Sequence, residues 1–275
     1  MGTLYVVATP IGNLDDMTFR AVRILREVAL IAAEDTRKSG RLLKHFEIDT
    51  PMTSYFEHNK LAKLERVLQT LRTADVALIS DAGTPGISDP GYKLVRAALD
   101  AGCEVIPVPG CSAIITALSA SGLPSDRFTF LGFLPRKAKE RKTVLQQVAK
   151  APETLIFYEA PHRIRETVDT LVQVFGPERQ AVLARELTKR FEEFWRGDLA
   201  ETAGYLATHT PRGEFTVLVA GAKKEDQKWN DDQVQRVLLT LQADGTTGSR
   251  AVKQVARLSR RAKSEVYDLW LGLQE

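Results

Sequence analysis

The chain has 275 residues, enough for about two domains of ordinary size. It is 44% hydrophobic and 27% charged with no biased tract and no apolar run near the ~20 residues that span a bilayer, which excludes fibrous, disordered and helical membrane classes. A net charge of +3 is too mild to demand an anionic partner, and the first residues lack the basic region of a signal peptide, so a cytoplasmic protein is expected.

Residues 3–8 read as a short apolar strand, followed by a turn through Pro10, Ile11, Gly12 and Asn13. A helix comes next, with Met17, Ala21, Ile24, Leu25 and Val28 at the 3–4 spacing of one buried face. Residues 30–33 form a second strand ending at Glu34, Asp35, Thr36 and Arg37. Leu61, Leu64, Leu68 and Leu71 mark a helix that leads to a strand at 76–80, a glycine-rich turn, and a helix from about Asp89. Strand 104–108 runs into Pro109-Gly110 and a helix capped by Ser112. Strands alternating with helices predict an α/β domain over 1–122 with a mainly parallel sheet.

After Gly122 the rhythm changes. Residues 127–133 and 154–158 read as strands around a basic helix, and 180–187, 191–195 and 215–220 as strands with few helices between them. Short connections predict a mixed or antiparallel sheet, hence a second α/β domain over 123–222. Polar residues 222–229 suit a linker, and 223–275 read as a purely helical module. Its first helix carries Val234, Val237, Leu238 and Leu241 and stops at Asp244-Gly245; residues 251–258 and 264–273 make two more, with Ser264 an expected N-cap. Ala256 and Val266 fit a helix-turn-helix, although Arg260 stands where the turn usually has glycine.

Two stretches are basic. Arg136, Lys137, Lys139, Arg141 and Lys142 face one acid, Glu140, and Arg250, Lys253, Arg257, Arg260, Arg261 and Lys263 face none. Arg250, Lys253, Arg257 and Arg260 recur at spacings of 3, 4 and 3 and so share one helix face, with Val252, Val255 and Ala256 turned mostly inward. Cys103 and Cys111 have no histidine near them, so two reduced thiols and no metal site are expected.

The turn Ser80-Asp81-Ala82-Gly83-Thr84-Pro85-Gly86-Ile87-Ser88-Asp89-Pro90-Gly91 is the most informative segment. Ligands of open parallel sheets bind beyond the carboxyl ends of the strands, where glycines let the backbone approach them closely. Two further loops, 9–13 and 109–113, leave neighbouring strands. Neither a P-loop nor the Gly-x-Gly-x-x-Gly fingerprint is present, so the pattern indicates a small-molecule cleft of unspecified ligand.

In order and spacing, Val6-Val7-Ala8-Thr9-Pro10-Ile11-Gly12-Asn13-Leu14, Ala33-Glu34-Asp35-Thr36-Arg37, the 80–91 turn and Val108-Pro109-Gly110-Cys111-Ser112-Ala113 resemble the tetrapyrrole-methylase superfamily. Phe157-Tyr158-Glu159-Ala160-Pro161-His162-Arg163, Ala184-Arg185-Glu186-Leu187-Thr188-Lys189 and the helical tail fit its branch that modifies small-subunit ribosomal RNA. The superfamily also includes cobalamin and siroheme methylases and diphthine synthase. Its Gly-Gly-Asp-Pro motif is replaced here by Ser80-Asp81-Ala82-Gly83, a departure shared with the RNA-modifying branch. The resemblance implies a two-domain tetrapyrrole-methylase (class III methyltransferase) fold followed by a small helix-turn-helix-like module. It implies S-adenosylmethionine in the cleft between the domains, contacted by Pro10, Asp81, Ala82, Gly83, Thr84, Ile87, Ser112, Ala113, Phe157 and Tyr158, with Leu187 and Glu214. It also implies a homodimer and 2′-O-methylation of a cytidine ribose in the decoding region of 16S RNA, on the assembled 30S subunit.

Such a reaction needs a base for the hydroxyl proton, for which Glu34, Asp35, Glu159, His162 and Glu186 are candidates. Pro161 at the first position of a helix would set His162 in its first turn, where the dipole disfavours protonation. Arg37 and Arg185 suit either RNA phosphate or ion pairs with Glu34 and Glu186, and Arg37 is also counted among the catalytic candidates. Arg136, Lys137, Arg250, Lys253, Arg257 and Arg260 are the expected RNA contacts. Alternative readings are a tetrapyrrole or protein methyltransferase of the same superfamily and a non-catalytic RNA-binding assembly factor.

Overall fold

A computed structural model of the chain describes residues 1–55, 60–222, 229–259 and 261–273, with side chains for all of these except 60–63. The chain divides into two compact units, Met1–Gly221 and Ala222–Glu275.

The first unit opens with a five-stranded sheet of order β3-β2-β4-β1-β5. Its strands are β1 (Thr3–Val7), β2 (Leu30–Ala33), β3 (Met52–Ser54), β4 (Val76–Ile79) and β5 (Glu104–Val108), all paired in parallel. Every residue of β2 and β4 is buried, as continuous apolar runs in a covered parallel sheet require. Alternate side chains feed opposite cores. Ile31, Ala33, Ala77 and Ile79 meet Ala21, Ile24 and Leu25 of α1 (Phe19–Glu27) on one face. Leu30, Ala32, Val76 and Leu78 meet Val67 and Leu71 of α3 (Lys60–Leu71) and Leu94 and Ala98 of α4 (Tyr92–Asp100) on the other.

Three elements here lie outside the expected pattern: a short 3-10 turn at Leu14–Asp16, α2 (Thr36–His45) and the three-residue β3. The helix is missed because only Ser39 and Leu43 of its residues are buried, too few to display a period. The helix expected from Asp89 begins at Tyr92, because Gly91 takes φ +150° and breaks the helical path after Pro90.

A second sheet of order β6-β7-β10-β8-β9 is mixed, as expected: β6 (Phe128–Phe133) and β7 (Thr154–Glu159) are parallel, and the other pairs antiparallel. Its remaining strands are β8 (Gln180–Arg185), β9 (Glu193–Asp198) and β10 (Phe215–Val219). Three helices belong to this part of the chain, α6 (Ala138–Gln147), α7 (Ile164–Phe175) and α8 (Leu199–Thr208), and each supplies residues to one buried face of the sheet. The opposite face packs Ile156, Val182 and Leu218 against Ile114, Ala117 and Leu118 of α5 (Ala113–Ser121). The helix that follows the last strand of the first sheet thus packs on the second.

Pro161 does not start α7. The helix begins at Ile164 with Arg163 at its N-cap, so His162 sits in the preceding turn and outside the helix dipole's first turn. Helix α8, between β9 and β10, begins with a capping box in which Asp198 and Glu201 satisfy each other's backbone amides.

In the second unit, α9 (Asp231–Ala243), α10 (Gly248–Ser259) and α11 (Lys263–Gly272) enclose Val234, Leu238, Ala251, Val252, Val255 and Val266. Asn230 and Gln233 form a capping box at the start of α9. Ser264 is not an N-cap: Ala262 holds that position without a side-chain bond, and Ser264 lies inside α11.

Candidate active site

The loops leaving β1, β4 and β5 converge beyond the carboxyl ends of their strands. Thr9 and Gly83 exchange both backbone N–H···O bonds at 2.9 Å, tying the first two loops together. Gly83 has φ +76°, a conformation that costs a residue with a Cβ about 1–2 kcal/mol. Thr84 donates its hydroxyl to the Cys111 carbonyl at 3.2 Å, drawing in the third loop. That loop can approach because Gly110 has no Cβ, which would lie 2.9 Å from the Cβ of Ala8. Ser112 occupies the N-cap of α5 but makes no side-chain cap bond, which leaves its hydroxyl uncommitted to the helix.

These loops wall one side of a cavity of about 550 Å³, and the ends of β7, β8 and β10 wall the other. Of the expected cofactor contacts, Ala82, Gly83, Thr84, Ile87, Ser112, Ala113, Tyr158, Leu187 and Glu214 line it. Pro10, Asp81 and Phe157 do not. Pro10 is buried in the loop. Asp81 turns toward Lys38, which it meets at 2.7 Å, and accepts the Asp35 amide at 3.1 Å. Phe157 is fully buried in the helix-covered core, because the β pleat sends it to the face opposite Tyr158. Tyr158 packs edge-on to Phe130, at 5.0 Å between centroids, and obliquely to Phe133, at 5.4 Å.

The expected catalytic groups are scattered. Glu34 accepts the Asp81 amide at 3.1 Å, and burial holds its carboxyl above the usual range. Asp35 caps α2 and binds the Arg37 side chain, which pulls its carboxyl down to about 2. Arg37 therefore pairs with Asp35 rather than Glu34, and Arg185 pairs with Glu193 at 2.8 Å rather than with Glu186. Glu186 is partly buried, which pushes its carboxyl up, but the Glu214 amide and Lys189 outweigh this and hold it below the usual range. Glu159 is buried and saturated: it accepts from the Ala160 amide at 2.9 Å and the Thr167 hydroxyl at 2.7 Å, and pairs with Arg163. His162 is exposed and lines the cavity.

Asp89 is a site residue that the sequence reading passed over. It lines the cavity half-buried, and burial, reinforced by repulsion from Glu34, lifts its carboxyl to about 6 against the opposing Ser80 hydroxyl. Burial, with the Asp89 charge, raises the Tyr158 phenol to about 12, and both residues line the cavity. Read only as the start of a helix, Asp89 gave no functional signal; its place in the 80–91 turn could have done so. Lys189 is a second addition, lining the cavity while bridging Glu186 at 3.0 Å and Glu214 at 3.1 Å.

The basic clusters divide. Arg136 and Lys137 are exposed, Lys137 pairing with Glu140 at 3.0 Å. Arg141 is only 2% exposed and bonds the Thr170 hydroxyl, so it is a structural cation. Arg250, Lys253 and Arg257 are exposed on α10, opposite its buried residues; Arg260 lies outside the described residues. Arg261 is committed to Asp231 and Glu265 within the helical unit. Cys103 and Cys111 are free thiols, the first buried. Among the described residues, no cluster of His, Cys, Asp or Glu could hold a metal ion, and no helix is long and apolar enough to cross a membrane.

Residues 3–203 match the family model of the tetrapyrrole (corrin/porphyrin) methylases. A ribosomal RNA small subunit methyltransferase I from Synechocystis sp. is 49% identical over 276 residues, spanning 100% of this chain and 99% of that protein. Proteins of the same name from Pseudomonas aeruginosa (59% over 223 residues, 80% of this chain and 79% of that one) and Bacillus subtilis (44% over 276 residues, 98% and 94%) are also similar. Among solved structures, diphthine synthase superposes with a TM-score of 0.63 at 13% identity, covering 80% of this chain and 90% of that one. Uroporphyrin-III C-methyltransferase of Thermus thermophilus gives 0.55 at 21% identity, covering 80% and 94%, a likeness of fold. Whole-length kinship, the family match and the two-sheet architecture agree: this chain belongs to the tetrapyrrole (corrin/porphyrin) methylase family.

Proposed function

We propose that the protein transfers the methyl group of S-adenosylmethionine to the ribose 2′-oxygen of a cytidine in the decoding region of 16S RNA, with the assembled 30S subunit as substrate. The observation that carries this reading is kinship along the whole chain with proteins named ribosomal RNA small subunit methyltransferase I.

The cavity suits the cofactor. Its volume of about 550 Å³ lies within the ~300–1,000 Å³ of small-molecule sites. Its wall combines backbone from tight turns with apolar Ile11, Ile87 and Leu187, able to cover an adenosine, and the Asp89 carboxylate favours a cationic sulfonium. When bound, S-adenosylmethionine supplies an electrophilic methyl group. The protein's own part is to hold the acceptor oxygen in line with that methyl, which can contribute up to ~7–11 kcal/mol, and to accept the hydroxyl proton. In this reading exposed Arg250, Lys253 and Arg257 bind phosphate on the helical unit, and exposed Arg136 and Lys137 do so separately on the first unit. The same reading carries a cytoplasmic homodimer, which light scattering tests.

Labelled methyl transfer decides the substrate. Label should enter 16S RNA of 30S subunits and not uroporphyrinogen, while calorimetry with S-adenosylhomocysteine should show binding. Label in the tetrapyrrole alone would favour the alternative substrate class, and no cofactor binding would leave a non-catalytic RNA-binding protein.

A further inference from the structure

The acceptor hydroxyl must lose a proton, and three carboxylates line the cavity among the described residues: Asp89, Glu159 and Glu214. Glu159 has both oxygens occupied and an arginine beside it. Glu214 is paired with Lys189 at 3.1 Å. Asp89 makes no ion pair among the described residues, and the Ser80 hydroxyl beside it favours its ionised form. It also sits in the turn whose residues 82–84 line the same cavity, which it shares with Tyr158 of the second sheet.

We propose that Asp89 is the proton acceptor of the methyl transfer, an assignment that rests on the ribose-methylation reading above. As the ribose oxygen attacks, its O–H bond breaks, the proton passes to an Asp89 carboxylate oxygen, and the electron pair stays on oxygen. A lone pair of that oxygen forms the new bond to the methyl carbon. The carbon–sulfur bond breaks with its pair returning to sulfur, which discharges the sulfonium and leaves a neutral thioether. Protonated Asp89 then gives its proton to water.

The surroundings suit the task. Burial and the nearby carboxylates of Glu34 and Asp81 make Asp89 more basic than a free aspartate, while it remains ionised at neutral pH. Lys38, beside these acids, is bound to Asp81. His162 and Lys189 share the cavity and Tyr158 faces it, so the test must separate Asp89 from His162.

The test compares wild type, D89N, D89E and H162A in single-turnover methylation of 30S subunits between about pH 5 and 9, with calorimetry of S-adenosylhomocysteine on each. In D89N the rate should fall ~10²–10⁴-fold with cofactor-product affinity within about threefold of wild type. The wild-type rate should rise with pH through a midpoint near 6, a limb that D89E keeps at a shifted position and D89N loses. If D89N proves unfolded, the shift in D89E decides alone. A D89N rate within about threefold of wild type, an unmoved limb in D89E, or a limb lost only in H162A would overturn the assignment. So would a parallel loss of S-adenosylhomocysteine affinity, which would make Asp89 a binding group. A wild type that binds S-adenosylhomocysteine but methylates no 30S subunit overturns the ribose reading instead, and the Asp89 role with it.

Discussion

Gly12 of the first loop lies directly against Lys189 of the turn that follows β8: a Cβ at Gly12 would stand 2.4 Å from the lysine Cγ and 3.0 Å from the Thr188 hydroxyl. The same lysine bridges Glu186 and Glu214, the latter on the cavity wall. Gly12→Ala should push Lys189 out of that clamp, costing ~1–3 kcal/mol of stability, as overpacking does. Affinity for S-adenosylhomocysteine should drop ~10-fold. A double-mutant cycle with Lys189→Ala checks the mechanism, since the two effects should be strongly non-additive; additive losses would show that the contact is not the cause.

Asp89 links the cavity to acid–base stability. Its carboxyl lies near 6 in the folded protein, above the ordinary aspartate value, so folding favours the protonated form. The stability it contributes is fully present below about pH 4 and is lost as pH rises through 6. Apo D89N, permanently neutral, should therefore melt above wild type at about pH 8, with the difference closing toward about pH 4. Scanning calorimetry at both pH values reads it; equal melting at pH 8 counts against the raised carboxyl.

The exposed face of α10 should act on RNA alone. Replacing Arg250, Lys253 and Arg257 by alanine removes three cations from a surface whose buried side, Ala251, Val252 and Val255, is untouched. The slope of log affinity for 30S subunits against log salt should shrink by ~0.7–0.9 per lost phosphate contact, with S-adenosylhomocysteine binding unchanged. An unaltered salt slope would remove this face from the RNA surface.

Gly248 opens α10 beneath the Trp270 indole, where a Cβ would come within 2.7 Å of Nε1. Alanine normally gains up to ~1 kcal/mol over glycine in a helix. Here the clash should win, destabilising the helical unit by ~1–3 kcal/mol. Tryptophan fluorescence during urea unfolding would show it, while cofactor-product binding in the other unit stays intact.

What the sequence disclosed follows from how each signal is written. Continuous apolar runs such as Val76–Ile79 marked the covered parallel strands, and the glycine-rich 80–91 turn pointed to the cleft. Helix α2 escaped because it buries so little. The ion pairs could not be read because choosing Asp35 over Glu34 for Arg37, or Glu193 over Glu186 for Arg185, depends on capping and cross-strand register. Phe157 and Tyr158 are adjacent in the chain, yet the pleat gives the cavity to one and the core to the other. Arg141 looked like one more basic residue of a polar stretch, and only packing against Thr170 makes it a buried one.

Helix α5 has a mechanical consequence. Its start at Ala113 lines the cavity, while Ile114, Ala117 and Leu118 are embedded in the apolar face of the second sheet. Peeling that helix away would wet the seam, so the piece of cavity wall at Ala113 is anchored to the second sheet although the chain reaches it from the first.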